Sequence, residues 1–135
     1  MTISNAPVIQ RYSDGDVIIS EGVVSNSAYV VVSGKVRVTK KVNNKIVIVG
    51  TLKKGDVFGE MGLISTAVRS ASVLAVGEVT VGFIDRDSFD SLLETMPEEL
   101  KIIIGALVQR LRVTTEMLTR IGSELAEARE QPKNP

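Results

Sequence analysis

Short apolar runs, each bounded by turn residues, occupy the chain as far as residue 85. Within 35–39 apolar and polar residues alternate, so Val36 and Val38 are predicted to face a core while Lys35 and Arg37 face water. Runs of this length that are rich in Val and Ile are typical of β-strands. The predicted strands cover residues 16–20, 29–33, 35–40, 45–51, 70–76 and 79–85.

Turn residues separate the predicted strands, and no helical segment lies between them. Gly supplies backbone conformations that other residues avoid, and Asn and Asp favour tight turns. Short strands with such connections predict an antiparallel sandwich or roll as the fold of this region. The turn signals are Asp14-Gly15, Glu21-Gly22, Ser33-Gly34, Asn43-Asn44 and Gly55-Asp56.

After Asp85 the apolar spacing changes to that of helices. Asp87-Ser88-Phe89 predicts the start of a short helix. Pro97, followed by two acidic residues, predicts the first position of a second helix that continues to about Glu130. The predicted fold class is therefore mainly β with C-terminal α: an antiparallel β-roll, then a short helix and a long dimerisation helix.

Apolar residues recur along the long helix at alternating steps of four and three, which is the spacing of a coiled-coil seam. One interpretation is a helix that packs on its own domain, which suits Ile103, Ile104 and Leu107. The other is a homodimer joined through this helix, which is favoured because the helix is expected to extend past the roll beyond about Val113. The seam positions are Leu107, Leu111, Thr114, Leu118, Ile121, Leu125 and Ala128.

Composition removes several classes of function. The chain has 135 residues, enough for one domain, with the roll over 7–86, the helices over 87–130 and a tail over 131–135. Its 16 basic and 16 acidic residues balance, which gives no sign of a nucleic-acid or membrane surface. The absence of His and Cys excludes His-based zinc sites, Ser-His triads and thiolate chemistry. Residues 1–7 lack the features of a secretory signal, and no apolar run could cross a bilayer, so a cytoplasmic protein is expected.

The segment 58–72 carries the candidate chemistry. Gly59 and Gly62 allow the main chain to approach a bound group closely, and a helical turn that starts near Glu60 would direct free N–H groups at an anion. Arg69 could donate two hydrogen bonds to phosphate oxygens, while Glu60 could accept hydrogen bonds from a sugar hydroxyl. The residues alone therefore predict a site for a phosphorylated sugar or a nucleotide.

This segment resembles the phosphate-binding cassette of the cyclic nucleotide-binding domain family: Phe-Gly-Glu-Met-Gly-Leu, an Arg nine residues after the Glu, and then Ser-Ala-Ser. Residues 15–22, 28–38 and 52–60 also follow the β-roll pattern of that family. The resemblance implies that Glu60 binds the ribose 2′-hydroxyl and that Arg69 binds the cyclic phosphate. It implies ligand contacts from Phe58, Gly59, Glu60 and Met61 on one side and Arg69, Ser70 and Ala71 on the other, with Val49 in the apolar wall.

Residues 109–116 are similar to the central helix of the cyclic AMP receptors within that family. The resemblance implies that Thr114 contacts the base held by its own subunit, that Thr115 contacts the base held by the partner subunit, and that Arg110 lies near the ligand. The alternative explanation of the two threonines is a hydrogen bond from each hydroxyl to the preceding helical turn. The paired threonines favour cyclic AMP over cyclic GMP, although the Ser70 hydroxyl could assist either the phosphate or a guanine amino group.

These observations predict a dimeric sensor that binds a cyclic nucleotide, needs no cofactor or metal, and passes a conformational change along its long helix. Receptor-type members of the family continue into a helix-turn-helix domain, whereas this sequence ends at Pro135, so DNA binding is not expected. One alternative is an interaction module without a ligand, in which Glu60 and Arg69 pair with each other, and another is a sensor specific for cyclic GMP. An enzyme is not expected because His, Cys and clustered carboxylates are absent.

Overall fold

A computed structural model describes residues 8–65 and 68–130, which form two compact units divided between Thr95 and Met96. Three sequence predictions fall outside the described residues: the start of the roll at Pro7, Thr66 and Ala67 of the cassette, and the polar tail. The first unit contains β1 (Val8–Tyr12), β2 (Val17–Ile19), β3 (Ser27–Val42), β4 (Lys45–Lys53), β5 (Val57–Phe58), a 3₁₀ turn (Glu60–Leu63), β6 (Ser72–Asp85) and α1 (Arg86–Glu94). The second unit contains α2 (Glu98–Glu130).

The first unit is an antiparallel roll built on two long strands. β3 and β6 pair from Ser27 opposite Asp85 to Thr39 opposite Ser72. The neighbours of each long strand change along its length, because β1 and β2 pair with different parts of β6, while β5 and β4 pair with different parts of β3. The sheet therefore curls on itself, and the predicted antiparallel β-roll is confirmed.

The turn predicted at Ser33-Gly34 is wrong, because these residues lie inside β3. Gly34 has φ +88°, and the pairing register with β6 shifts on both sides of Ser33. A Cβ at position 34 would lie 3.1 Å from the Val79 Cα and closer still to the Glu78 carbonyl oxygen. Gly34 thus forms a bulge that bends one continuous strand where the sequence pattern indicates two strands.

The hairpin between β3 and β4 has the predicted turn. Asn43 and Asn44 have φ of 52° and 65°, the left-handed conformation that both central residues of a type I′ turn require. At the next turn the Asp56 carboxylate accepts a hydrogen bond of 2.9 Å from the Lys53 backbone N–H. These polar turns explain why the strand boundaries there follow the sequence prediction closely.

The core of the roll consists mainly of small branched side chains. Val36 and Val81 are fully buried, with exposed fractions of 0%, and Val38 is half-buried. Lys35 and Arg37 are exposed, so the predicted alternation is confirmed over 35–38, whereas Thr39 is buried at 7% exposure, where the pairing register with β4 shifts. The other core residues are Ile19, Val31, Phe58, Val73, Ala75 and Val79.

The short helix α1 begins at Arg86, one residue before the predicted start. Asp85 is its N-cap, and its carboxylate accepts a hydrogen bond of 2.8 Å from the Ser88 backbone N–H. Hydrogen bonds from Ser88 to the ionised carboxylate lower the pKa of Asp85 below its usual value. The strand β6 therefore passes directly into the helix without a loop.

The long helix α2 contains 33 residues, about 50 Å at 1.5 Å per residue. At its start the Lys101 backbone N–H donates a hydrogen bond of 3.0 Å to the Pro97 carbonyl oxygen. None of the helices among the described residues is both long and apolar enough to cross a membrane. The apolar seam residues are exposed in the single chain: Leu107, Leu111, Leu118, Ile121 and Leu125.

Candidate functional site

The cassette starts with a backbone turn that only glycine adopts easily. Gly59 follows β5 with φ +69° and precedes the 3₁₀ turn Glu60–Leu63, as the sequence predicts for a helical turn near Glu60. A Cβ on Gly59 would lie 2.9 Å from Ile19 Cδ1 and 3.3 Å from Arg69 Nη1. Gly59 has no side chain to cap the turn, and the first N–H groups of a helical turn have no partner within it. Those groups are available to an anion.

Arg69 is buried beneath this turn, with 8% of its surface exposed. Its Nη1 donates a hydrogen bond of 2.7 Å to the Gly59 carbonyl oxygen, and its Nη2 donates to the Ser27 carbonyl oxygen. Its Nε is buried and has no hydrogen-bond partner among the residues that the structure describes. An unpartnered donor on a buried cation is unfavourable, and an anionic ligand could satisfy it.

The backbone around Arg69 is fixed from the opposite side. The Arg69 N–H donates to the Val23 carbonyl oxygen, and the Gly22 N–H donates to the Arg69 carbonyl oxygen, both at 2.9 Å. Val68 also forms an isolated antiparallel bridge with Val24. The loop between β2 and β3 therefore holds the arginine in place even where no regular strand is present.

Electrostatic effects on Arg69 act in opposite directions. Burial lowers the pKa of the guanidinium below its usual value, while Tyr29 and the Glu60 carboxylate raise that pKa again. Arginine remains charged in proteins, so the guanidinium is a permanent cation. Among the described residues no ion pair joins Glu60 to Arg69, so the pairing expected for a ligand-free interaction module is not present.

Two clefts border the cassette, and each contains one of the two charged residues. A cleft of about 390 Å³ is lined by Arg69, Tyr29 and the 18–26 region. A second cleft of about 270 Å³ is lined by Glu60 together with Leu63 and Phe89 and neighbouring strand residues. The structure thus places Glu60 and Arg69 around one turn, with a cleft beside each side chain.

Comparison with known proteins identifies the family. A model described as the cyclic nucleotide-binding domain matches residues 9–96. The chain belongs to this family. The cyclic nucleotide-binding domain is 36% identical over 100 residues to human cGMP-dependent protein kinase 2, covering 72% of this chain and 13% of the kinase. It is 38% identical over 91 residues to a cAMP-dependent protein kinase regulatory subunit of Hypocrea atroviridis, covering 67% of this chain and 19% of that protein.

A solved structure has the same architecture. The catabolite activator protein of Thermus thermophilus superposes with a TM-score of 0.66 and 28% identity, covering 88% of this chain and 56% of that chain. The cyclic nucleotide-binding domain therefore spans less than a quarter of either curated relative and about half of this structure.

The remaining predicted cassette residues differ in burial. Phe58 is buried at 5% exposure and stacks on Tyr29, with ring centroids 5.1 Å apart and planes 9° apart. Met61 and Ala71 are half-buried, whereas Ser70 is exposed. The ring of Phe58 thus belongs to the core that supports the cassette.

Val49 lies on β4 with 62% of its surface exposed. Its neighbours Ile46 and Ile48 on the same strand are exposed as well, at 75% and 59%. In the single chain this strand presents apolar side chains to solvent, so the predicted apolar wall around Val49 has no protein cover.

The predicted residues on α2 form helix-internal contacts. The Thr114 hydroxyl donates to the Arg110 carbonyl oxygen, and the Thr115 hydroxyl donates to the Leu111 carbonyl oxygen, each at 2.8 Å. These are the hydrogen bonds of the alternative explanation. Thr115 is half-buried, while Thr114 and Arg110 are exposed.

Two contacts at the site were not predicted from the sequence. The Ser27 carbonyl oxygen accepts from Arg69, and Arg86 contacts the far end of the cassette turn through the carbonyl oxygens of Gly62 and Ser65. Every residue type has a backbone carbonyl, so the sequence gives no signal for the contact between the Ser27 carbonyl oxygen and Arg69. Arg86 follows the N-cap Asp85 directly, and the sequence pattern marks that position only as a strand-to-helix boundary.

Proposed function

We propose that this domain is a regulatory module that binds a cyclic nucleotide, with cyclic AMP preferred to cyclic GMP. Arg69 is the observation that carries the proposal. It is a buried permanent cation whose Nε has no partner, and it contacts no carboxylate among the described residues. Two relatives named for cyclic-nucleotide-dependent kinases support the same class of ligand.

In the proposed complex each part of the cassette has a separate role. Arg69 binds the cyclic phosphate through its unpartnered Nε, and backbone N–H groups of Glu60 and Met61, with those of Ser70 and Ala71, complete the anion site. The exposed Glu60 carboxylate accepts a hydrogen bond from the ribose 2′-hydroxyl. Gly59 allows the backbone to come close to the ligand, and Phe58 supports the turn from the core.

The base is proposed to lie against Val49 and against hydroxyls of the long helix. Thr114 and Thr115 each donate their proton to a carbonyl one turn earlier, so their oxygens keep acceptor capacity. Adenine carries an amino donor at position 6, whereas guanine carries an acceptor oxygen there. Hydroxyls that use their protons in this way would accept from the adenine amino group and so favour adenine. Arg110 is proposed to lie near the same ligand.

Calorimetry on the purified chain tests the proposal. We expect heat of binding with cyclic AMP, weaker binding of cyclic GMP, and little binding of 5′-AMP, whose phosphate is not closed into a ring. A ligand at about 100 times its Kd should also stabilise the fold by about 2.7 kcal/mol in thermal unfolding. No heat from either cyclic nucleotide, together with unchanged unfolding, would contradict the proposal and favour the ligand-free interaction module.

The two units are proposed to act as one domain over residues 1–135, with a second copy joined through α2. The seam residues Leu111, Leu118 and Leu125 are exposed by 48%, 65% and 58% in the single chain. Side chains that repeat at this spacing become buried when two helices pair. Exposed apolar stripes of this length are uncommon on monomers.

Leu118→Glu is expected to shift the chain from dimer to monomer, because it places a charge in the apolar seam. Light scattering after size exclusion measures the mass. Val113→Glu is the matched control, since Val113 is also exposed, at 43%, but lies off the seam. A wild-type chain that is already monomeric at high micromolar concentration, or a Leu118→Glu chain that remains dimeric, would exclude this interface.

In this proposal, regulation depends on a difference in ligand affinity between two conformations of the protein. If the cassette holds the phosphate and α2 holds the base, the ligand binds more tightly to the conformation that presents both groups together. Ligand binding would shift the population toward that conformation by the ratio of the two affinities. The long helix would carry the change to whatever partner it contacts.

A further inference from the structure

Arg86 contacts the cassette from the end opposite to Arg69. It is the first residue of α1, and its Nη2 donates hydrogen bonds of 3.0 Å to the Gly62 carbonyl oxygen and 2.9 Å to the Ser65 carbonyl oxygen. Its Nε is buried and has no partner within the described part of the chain. The side chain is half-buried, so these contacts lie largely out of solvent.

The two accepting carbonyls belong to the end of the cassette turn. The last carbonyl groups of a helical turn have no partner within it and need external donors. Arg69 donates to the Gly59 carbonyl at the start of the same turn. The segment 59–65 is therefore held at one end by an arginine from the cassette and at the other by an arginine from α1.

The cleft beside this turn is lined by apolar side chains from both the turn and α1. Leu63 of the turn and Phe89 of α1 line it together, and Glu60 lines it as well. Arg86 and Phe89 are three residues apart, so they lie on one face of α1. The residue proposed to bind ribose thus stands next to the same face of α1 that holds the turn.

We propose that Arg86 is a positioning residue, which fixes the cassette turn to α1 in the geometry that presents Glu60 and the turn's N–H groups to the ligand. This inference rests on the proposed function and concerns how that site is held and connected. Because the turn and α1 are joined by a charged donor, a ligand that moves the turn also moves α1. Arg86 itself makes no ligand contact in this arrangement.

Arg86→Gln in the full chain tests the inference. Cyclic AMP is expected to bind about tenfold more weakly, because the neutral amide supplies weaker hydrogen bonds to the two carbonyls. Hydrogen exchange of the backbone amides in 60–65, measured without ligand, should become faster. Arg86→Lys should recover part of both losses, since it keeps the charge. Arg11→Gln, which changes an exposed arginine on β1, should alter neither.

A double-mutant cycle with Glu60→Gln separates positioning from a purely structural role. If Arg86 acts through the turn, the loss of affinity caused by Glu60→Gln should be smaller in the Arg86→Gln background. Additive losses, or Arg86→Gln affinity within about twofold of wild type, would overturn the inference. If the wild-type chain bound no cyclic nucleotide, the proposed function would fail. Unchanged amide exchange in Arg86→Gln would instead overturn the positioning role, whatever the ligand.

Discussion

Arg69→Gln is expected to weaken binding of cyclic AMP by about a hundredfold or more. The substitution removes the buried positive charge and the unpartnered Nε, which are the two features that an anionic phosphate would satisfy. A hydrogen bond to a charged group is stabilising by about 1.5–3 kcal/mol, and loss of the buried charge also removes its attraction for the phosphate, which together account for an effect of this size. Calorimetry with cyclic AMP measures the change.

The same substitution also affects the ligand-free fold. Gln can donate to the carbonyl of Gly59 or of Ser27, but it cannot span both as the guanidinium does. Losing one of these part-buried hydrogen bonds from a charged donor costs about 1–3 kcal/mol, so thermal unfolding of Arg69→Gln should occur at a lower temperature. Affinities must therefore be compared at temperatures where circular dichroism shows that both chains are folded.

Two further variants make the result specific to this arginine. Arg69→Lys keeps the charge but loses the forked donor geometry, so its affinity should lie between those of wild type and Arg69→Gln. Arg37→Gln removes an exposed arginine from β3 and should leave affinity unchanged. If wild type binds cyclic AMP and a folded Arg69→Gln binds it equally well, Arg69 is not the phosphate-binding residue.

The general form of the roll could be read from the sequence because its signals are local. Alternation at 35–38 correctly indicated which side chains face the core, and Asn43-Asn44 correctly indicated a tight hairpin. The cassette could be predicted for the same reason, because its glycines and charged residues occur within one short segment. Gly59 adopts the left-handed conformation that this segment needs.

Features that depend on pairing between distant residues could not be predicted. Ser33-Gly34 has the composition of a turn, and only the pairing of β3 with β6 makes it a bulge within one strand. The contacts of Arg86 depend on where β6 ends, because this places the start of α1 next to the Gly62 carbonyl. Residue types alone specify neither the register between distant strands nor which backbone carbonyl accepts a hydrogen bond.

Gly62→Ala is expected to have the second largest effect, because Gly62 lies where several groups converge. A Cβ there would lie 2.5 Å from Arg69 Nη2 and 2.9 Å from the carbonyl oxygens of Ser25 and Ser27. Two of these three neighbours are backbone atoms that cannot rotate away. The φ of Gly62 is not positive, so the conflict is one of space and not of backbone conformation.

The methyl group must therefore displace either the guanidinium or the turn. Both carry proposed ligand contacts, so we expect cyclic AMP to bind at least about tenfold more weakly to Gly62→Ala. Overpacking of this kind also destabilises folds by about 1–3 kcal/mol, which thermal unfolding without ligand should show. Titration calorimetry and thermal unfolding on the same sample separate the two effects.

Gly105→Ala is the matched control for this substitution. A Cβ at position 105 meets no atom within 4 Å, and the residue lies within α2, where alanine is favoured over glycine by about 1 kcal/mol. That variant should bind cyclic AMP like wild type and unfold at the same or a higher temperature. Were Gly62→Ala to remain folded and keep wild-type affinity, the close packing of Arg69 beneath the turn would not be what shapes the phosphate site.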